Sequence, residues 1–271
     1  MNKPLFWTSI GALLAGYDAN AFNIKQKPNI LVFIADDAGM DYGCYGNPFI
    51  KTPNIDALAA NGLMVQNAFL TAPQSSPSRT SMLSGCFAHS IGTEDLHAGL
   101  NDTTLIVPSY LKQQGYYSGL MLKSHMGSNA MKQFDWTDNG FNDWLKGEWH
   151  NKALSYFNEF LDKSENNPFF LWVAFVDPHR PYTEDPILAN RAPEVHNPLN
   201  TIVPPFLVDT EQTRIDIAHY YDEIHRMDTY IGLMMQELKK RKLDENTLIL
   251  YISDNGMPFP RSKGIAVNLS L

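Results

Sequence analysis

Cysteine, basic charge and long apolar runs are all scarce in this chain of 271 residues. Its two cysteines, Cys44 and Cys86, are too few for a disulfide scaffold, and their spacing leaves open whether they pair. Lys and Arg number 21 against 29 Asp and Glu, a formal charge of −8, which argues against a broad basic surface for nucleic acid or anionic lipid. An anionic ligand must therefore be gripped locally. No apolar run reaches the ~20 residues of a membrane-spanning helix, so no span is expected in the mature chain. Glycine and proline, at 17 each, fall far below collagen-like or low-complexity bias, and a hydrophobic fraction of 44% suits a packed globular core.

Residues 1–21 read as an address. They open Met1-Asn2-Lys3, run through apolar Leu5–Leu14 and close on Ala19-Asn20-Ala21, a small-x-small cleavage pattern. The pattern predicts export, to the periplasm or outside the cell, leaving a mature chain over residues 22–271 in which no linker marks a second domain.

Four short apolar runs lack alternation: Asn29–Ala35, Tyr117–Leu122, Phe169–Val176 and Thr247–Ile252. Such runs predict strands buried on both faces of a parallel or mixed sheet. Helices are expected over Asn54–Asn61, Pro77–Ser84, Val107–Gln114, Asn151–Lys163 and Glu211–Lys242; in the last, Ile217, Tyr220, Tyr221, Ile224, Met227, Ile231, Met234, Met235 and Leu238 form one stripe. Alternating strands and helices predict an α/β three-layer sandwich. The proline-rich stretch Pro178–Asp209 reads as a surface excursion.

Each strand is followed by chemistry. Asp36-Asp37 follows the first, Lys123-x-His125 the second, Asp177-Pro178-His179 the third and Ser253-Asp254-Asn255-Gly256 the fourth. Ligands of open α/β sheets bind beyond the carboxyl ends of the strands, so these clusters are expected to converge. Asp36, Asp37, Asp254 and Asn255 are hard oxygen donors suited to Ca²⁺ or Mg²⁺, and no spacing resembles a zinc site. Lys123, His125, His179, Arg79 and Lys263 supply cations and acid–base groups for a tetrahedral oxyanion. A divalent metal beside cations points to phosphoryl or sulfuryl transfer. For a nucleophile, Thr71–Gly85 places Pro77 in a first helical turn with Ser76 as its cap, leaving Ser75 at a helix N-terminus that favours anions.

Ser75-x-Pro77-Ser78-Arg79, with Asp36-Asp37 upstream and Ser253-Asp254-Asn255-Gly256 downstream, resembles the type I sulfatases of the alkaline phosphatase superfamily. The resemblance implies an alkaline phosphatase-like sandwich and a Ser75 oxidised to formylglycine by a serine-type sulfatase-maturating enzyme. It further implies Ca²⁺ held by Asp36, Asp37, Asp254, Asn255 and the modified Ser75, with Arg79 orienting that residue. By the same resemblance His179 is the general acid, Lys123 and Lys263 hold sulfate oxygens, and His125 removes the remaining hydroxyl proton.

Segments around Lys123, His179, Tyr221–Asp228 and Asn255–Pro260 look most similar to the heparan N-sulfatase branch, the N-sulfoglucosamine sulfohydrolases. A sulfated glycan is the implied substrate, with Arg180 and Arg261 as further cations to meet it. Sulfatases of this type continue well past the Asp-Asn-Gly loop, so a fold incomplete at its C-terminus, lacking the smaller C-terminal subdomain and exposing apolar surface, is expected. Other readings are an arylsulfatase or O-sulfatase, a phosphomonoesterase or phosphodiesterase using Ser75 directly, and an inactive truncated remnant.

Overall fold

The computed structural model describes residues 27–138, 140–145, 149–165, 167–182 and 196–263. The expected export signal over residues 1–21 and the final residues 264–271 lie outside them. Five strands are described: β1 (Asn29–Ala35), β2 (Tyr117–Leu122), β3 (Trp136–Thr137), β4 (Phe169–Ala174) and β5 (Thr247–Ser253). They form one parallel sheet in the order β3-β2-β4-β1-β5. Between β4 and β5, β1 sets Phe33 opposite Val173 on one side and Tyr251 on the other.

The unbroken apolar runs make sense as strands with two covered faces. Leu31 and Phe33 of β1 with Leu171 and Val173 of β4 face one core; Val32, Ile34, Phe170 and Trp172 face the other. The first core is roofed by α6 (Trp149–Lys163) and α7 (Glu211–Lys240), whose expected apolar stripe is buried except for half-buried Met235. Leu83 of α2 (Ser75–Ser84) packs in the second core, beside α3 (Val107–Lys112) and Ala130 of α4 (Ser128–Met131). Helix, sheet, helix is the three-layer α/β arrangement of alkaline phosphatase-like folds. Along β5, Ile249 and Tyr251 join the first core, whereas Leu248 and Leu250 are 52% and 41% exposed.

Several boundaries differ from expectation for local reasons. Helix α2 starts at Ser75, two residues early, because Gln74 O accepts the first helical bond from Ser78 N at 3.0 Å. The cap position is thus Gln74, not Ser76. At its other end Gly85 takes φ 70°, a left-handed turn that glycine adopts without a Cβ clash. Strand β4 stops at Ala174 rather than Val176, since the chain turns there: His179 N donates to Val176 O at 2.9 Å. Helix α1 (Pro53–Ala60) has its free N-terminal amides satisfied from afar, Asp228 of α7 accepting from Asn54 N at 3.1 Å and Ile55 N at 2.8 Å.

The proline-rich stretch is more than a surface excursion where it is described. His196 is buried, and its N and Nδ1 both lie 2.7 Å from Asp222 Oδ1. Residues 183–195 of that stretch lie outside the described residues. Cys44 and Cys86 are both free thiols.

Candidate active site

Strand ends and one helix start bring the polar clusters together. Asp36 and Asp37 leave β1, Lys123 leaves β2 and Asp254-Asn255 leave β5, all at carboxyl ends of parallel strands, while α2 aims its N-terminus at the same point. Asp37 sits at φ 71°, a left-handed backbone unusual for a non-glycine residue. That conformation is held by two bonds to β5, Asp37 N donating to Asp254 Oδ1 and Ala38 N to Ser253 Oγ, both at 3.0 Å.

Asp36 is the hub. Ser75 Oγ donates to its Oδ1 at 2.8 Å, Lys123 Nζ donates to its Oδ2, and Arg79 Nη2 stands 3.7 Å from Oδ2. Arg79, fully buried, gives Nε to Asp254 Oδ2 at 2.9 Å and Nη1 to Lys123 O at 2.8 Å. Arg79 therefore reaches Ser75 through Asp36 rather than by a direct bond. Asp37 accepts from Asn255 Nδ2 at 2.8 Å and from Lys263 Nζ at 2.5 Å, with His179 Nε2 at 3.8 Å.

Three carboxylates and three cations share this small volume, and their titration diverges. Burial raises the Asp36 carboxyl, but Lys123 and Arg79 outweigh it and hold the group well below the usual range. Burial and the charge of Asp36 push Asp37 up, and the same causes push Asp254 up to about 7 against the pull of Arg79. Two of the three carboxyls are thus short of positive charge.

A hard divalent cation fits that deficit. Every candidate donor is oxygen apart from His179, and Asn255 Oδ1 is buried with no hydrogen-bond partner. Asp36, Asp37 and His179 each offer a ligand atom within 4.8 Å of the others. Lys123 and Lys263 rest on carboxylates here rather than standing free.

The histidines divide. His179 Nδ1 contacts Arg180 O, so Nδ1 carries the proton and Nε2 faces the carboxylates. Burial pulls its pKa below the usual value against the pull of Asp36. His125 is pushed down to about 4 by burial, Lys123 and Arg79, which keeps it neutral near pH 7. Its Nε2 lies 2.8 Å from His97 Nδ1, and its Nδ1 is buried without a partner. His97 and His125 both occupy left-handed backbone, at φ 73° and 51°. Sequence reading missed His97, which has no motif or spacing to mark it.

Two arginines depart from expectation. Arg180, expected to meet the ligand as a free cation, is forked onto Asp216 through Nη1–Oδ1 at 2.8 Å and Nη2–Oδ2 at 2.5 Å. Arg226 forks onto Asp177 at 2.8 Å per bond and also reaches Glu223, all three buried. Charged residues interrupting the apolar stripe of α7 were the available signal for this network. Arg261 is exposed, at φ 71°.

A family model described as Sulfatase matches residues 28–265. The chain is 33% identical over 264 residues to human N-sulphoglucosamine sulphohydrolase, covering 88% of this chain and 53% of that protein. It is 29% identical over 292 residues to human N-acetylgalactosamine-6-sulfatase, covering 87% and 51%. In fold it matches the crystal structure of Ps i-CgsB in complex with k-i-k-neocarrahexaose, with a TM-score of 0.69 at 24% identity, covering 89% of this chain and 61% of that one. The chain spans about half the length of the curated relatives it matches. With its family model covering nearly all of the described residues, the chain belongs to the Sulfatase family.

Proposed function

We propose that this chain carries the nucleophile- and metal-bearing part of a hydrolase that removes sulfate from a sulfated sugar, with the N-sulfo group of glucosamine as the preferred target. The observation that carries the reading is the bond from Ser75 Oγ to Asp36 Oδ1 at the head of a cluster with both acidic oxygen donors and cations. The preferred substrate rests on the 33% identity to N-sulphoglucosamine sulphohydrolase.

In this reading Asp36, Asp37, Asp254, Asn255 and the modified Ser75 would hold Ca²⁺. When bound, the ion would supply positive charge to offset the anionic substrate, and Ser75, once oxidised to formylglycine by a serine-type maturating enzyme, would supply a hydrated aldehyde with two hydroxyls. Asp36 and Arg79 fix the approach of residue 75. Lys123 and Lys263 turn their ammonium groups from Asp36 and Asp37 to the sulfate oxygens, where charge accumulates in the transition state. His179 delivers a proton from Nε2 to the departing oxygen or nitrogen, its pKa raised once the anionic substrate is bound. His125, held neutral, accepts the second hydroxyl proton. We further propose export, directed by residues 1–21. No helix among the described residues is long and apolar enough to cross a membrane.

The test is mass spectrometry of the Ser75 peptide from protein produced with a maturating enzyme, followed by turnover of aryl sulfate and aryl phosphate. Loss of two hydrogens at Ser75 with preferential sulfate turnover supports the reading. Faster phosphate turnover by unmodified serine would assign a phosphoesterase, and no turnover of either by fully converted protein would assign an inactive remnant.

A further inference from the structure

His179 sits in a loop that one helix grips on both sides. Before it, Asp177 is forked by Arg226 of α7 at 2.8 Å per bond, and Asp177 O accepts from Asp36 N at 3.0 Å. After it, Arg180 is forked by Asp216 of the same helix. The Arg180 guanidinium also lies 4.5 Å from the Tyr182 ring centre and 4.9 Å from that of Phe259, and its Nε donates to Pro258 O at 3.1 Å. Arg180 thus bridges α7, its own loop and the loop that follows Asn255. Its main-chain oxygen accepts from His179 Nδ1, the bond that sets which way the imidazole faces.

We propose that Arg180, anchored by Asp216, is a positioning residue that holds the His179 ring with Nε2 toward the leaving group. A bidentate, partly shielded arginine with aromatic faces on its guanidinium is a stiff strut, unlike a solvated cation reaching for substrate. Asp216 stands about ten residues, roughly three helical turns, before Arg226 on α7, so one rigid element fixes the loop at both ends. The proposal rests on the sulfatase reading for the role of His179.

The test compares Asp216→Asn and Asp216→Glu with the unaltered full chain, carrying converted Ser75. Two substrates are used: a sulfated glucosamine, whose leaving group needs a proton, and 4-nitrophenyl sulfate, whose phenolate leaves without one. Asp216→Asn is expected to lose about tenfold more turnover on the sugar than on the aryl sulfate, a fraction of what a complete general acid contributes, and Asp216→Glu to recover most of it. Equal losses on both substrates, or no loss, would overturn the proposal. A readout free of turnover is the ¹⁵N spectrum of histidine-labelled protein, with His179→Gln for assignment. Asp216→Asn is expected to move or broaden the His179 ring signals while those of His196 and His225 stay in place; unmoved His179 signals would overturn the proposal. If the unaltered converted chain turns over neither sulfate, the sulfatase reading fails while the spectrum still decides whether Arg180 and Asp216 orient His179.

Discussion

The Ser75 hydroxyl donates to Asp36 Oδ1 at 2.8 Å, joining the first residue of α2 to the end of β1 across 39 positions of sequence. The bond is buried, and Asp36 keeps Lys123 as a partner without it. Ser75→Ala is therefore expected to cost about 1 kcal/mol by urea denaturation. The same substitution is expected to abolish both the oxidised Ser75 peptide and sulfate release, a separation of function from stability that the two measurements read directly.

Arg79 is fully buried and faces Asp254 at 2.9 Å and Asp36 at 3.7 Å. Arg79→Met leaves both carboxylates short of a buried partner and is expected to destabilise the metal-free protein by about 3 kcal/mol near neutral pH. The deficit should shrink as pH falls, because protonation of Asp254 removes the uncompensated charge. Denaturation midpoints across pH give the check; a deficit that grows in acid would contradict it.

Metal binding is expected to compete with protons. Asp254 is pushed up to about 7 by burial and by Asp36 and Asp37, so its favourable contribution to the metal-free fold is present below its unfolded pKa and lost as pH rises through about 7. Ca²⁺ needs the deprotonated carboxylate. The rise in melting temperature on adding Ca²⁺ should accordingly be larger at about pH 8 than at about pH 5.5.

Beneath the site, Gly119 of β2 lies against α6. A Cβ there would stand 2.3 Å from Phe160 Cε2 and 2.9 Å from Leu171 Cδ1. Gly119→Ala is expected to cost about 1–3 kcal/mol through overpacking, read as a lower urea midpoint with an unchanged slope.

Strands β1 and β2 were legible to the residue, because a strand covered on both faces needs an unbroken apolar run bounded by polar residues. The stripe of α7 was legible for the same reason at helical spacing. Three elements were not: β3, α4 and α5 (Gly140–Leu145), with sequences WT, SNAM and GFNDWL, carry neither an unbroken apolar run nor a helical stripe. The gathering of Asp36, Lys123, His179 and Asp254 followed from their common place after parallel strands. What sequence could not supply was the pairing within that gathering. Arg180 read as a free cation because Asp216 is 36 positions away, and His97 gave no sign of its contact with His125. Such partners are chosen by packing of α7 and of loops, which local pattern does not encode.

The most direct measurement is sulfate release from N-sulfoglucosamine by protein with fully converted Ser75, with Ca²⁺ and after chelation, alongside Ser75→Ala and Asp254→Asn. Release that requires Ca²⁺ and Ser75 and falls by orders of magnitude with Asp254→Asn is the expected result. Release that survives chelation or the loss of Ser75 would contradict a single metal-dependent site built on Ser75 and the strand-end carboxylates.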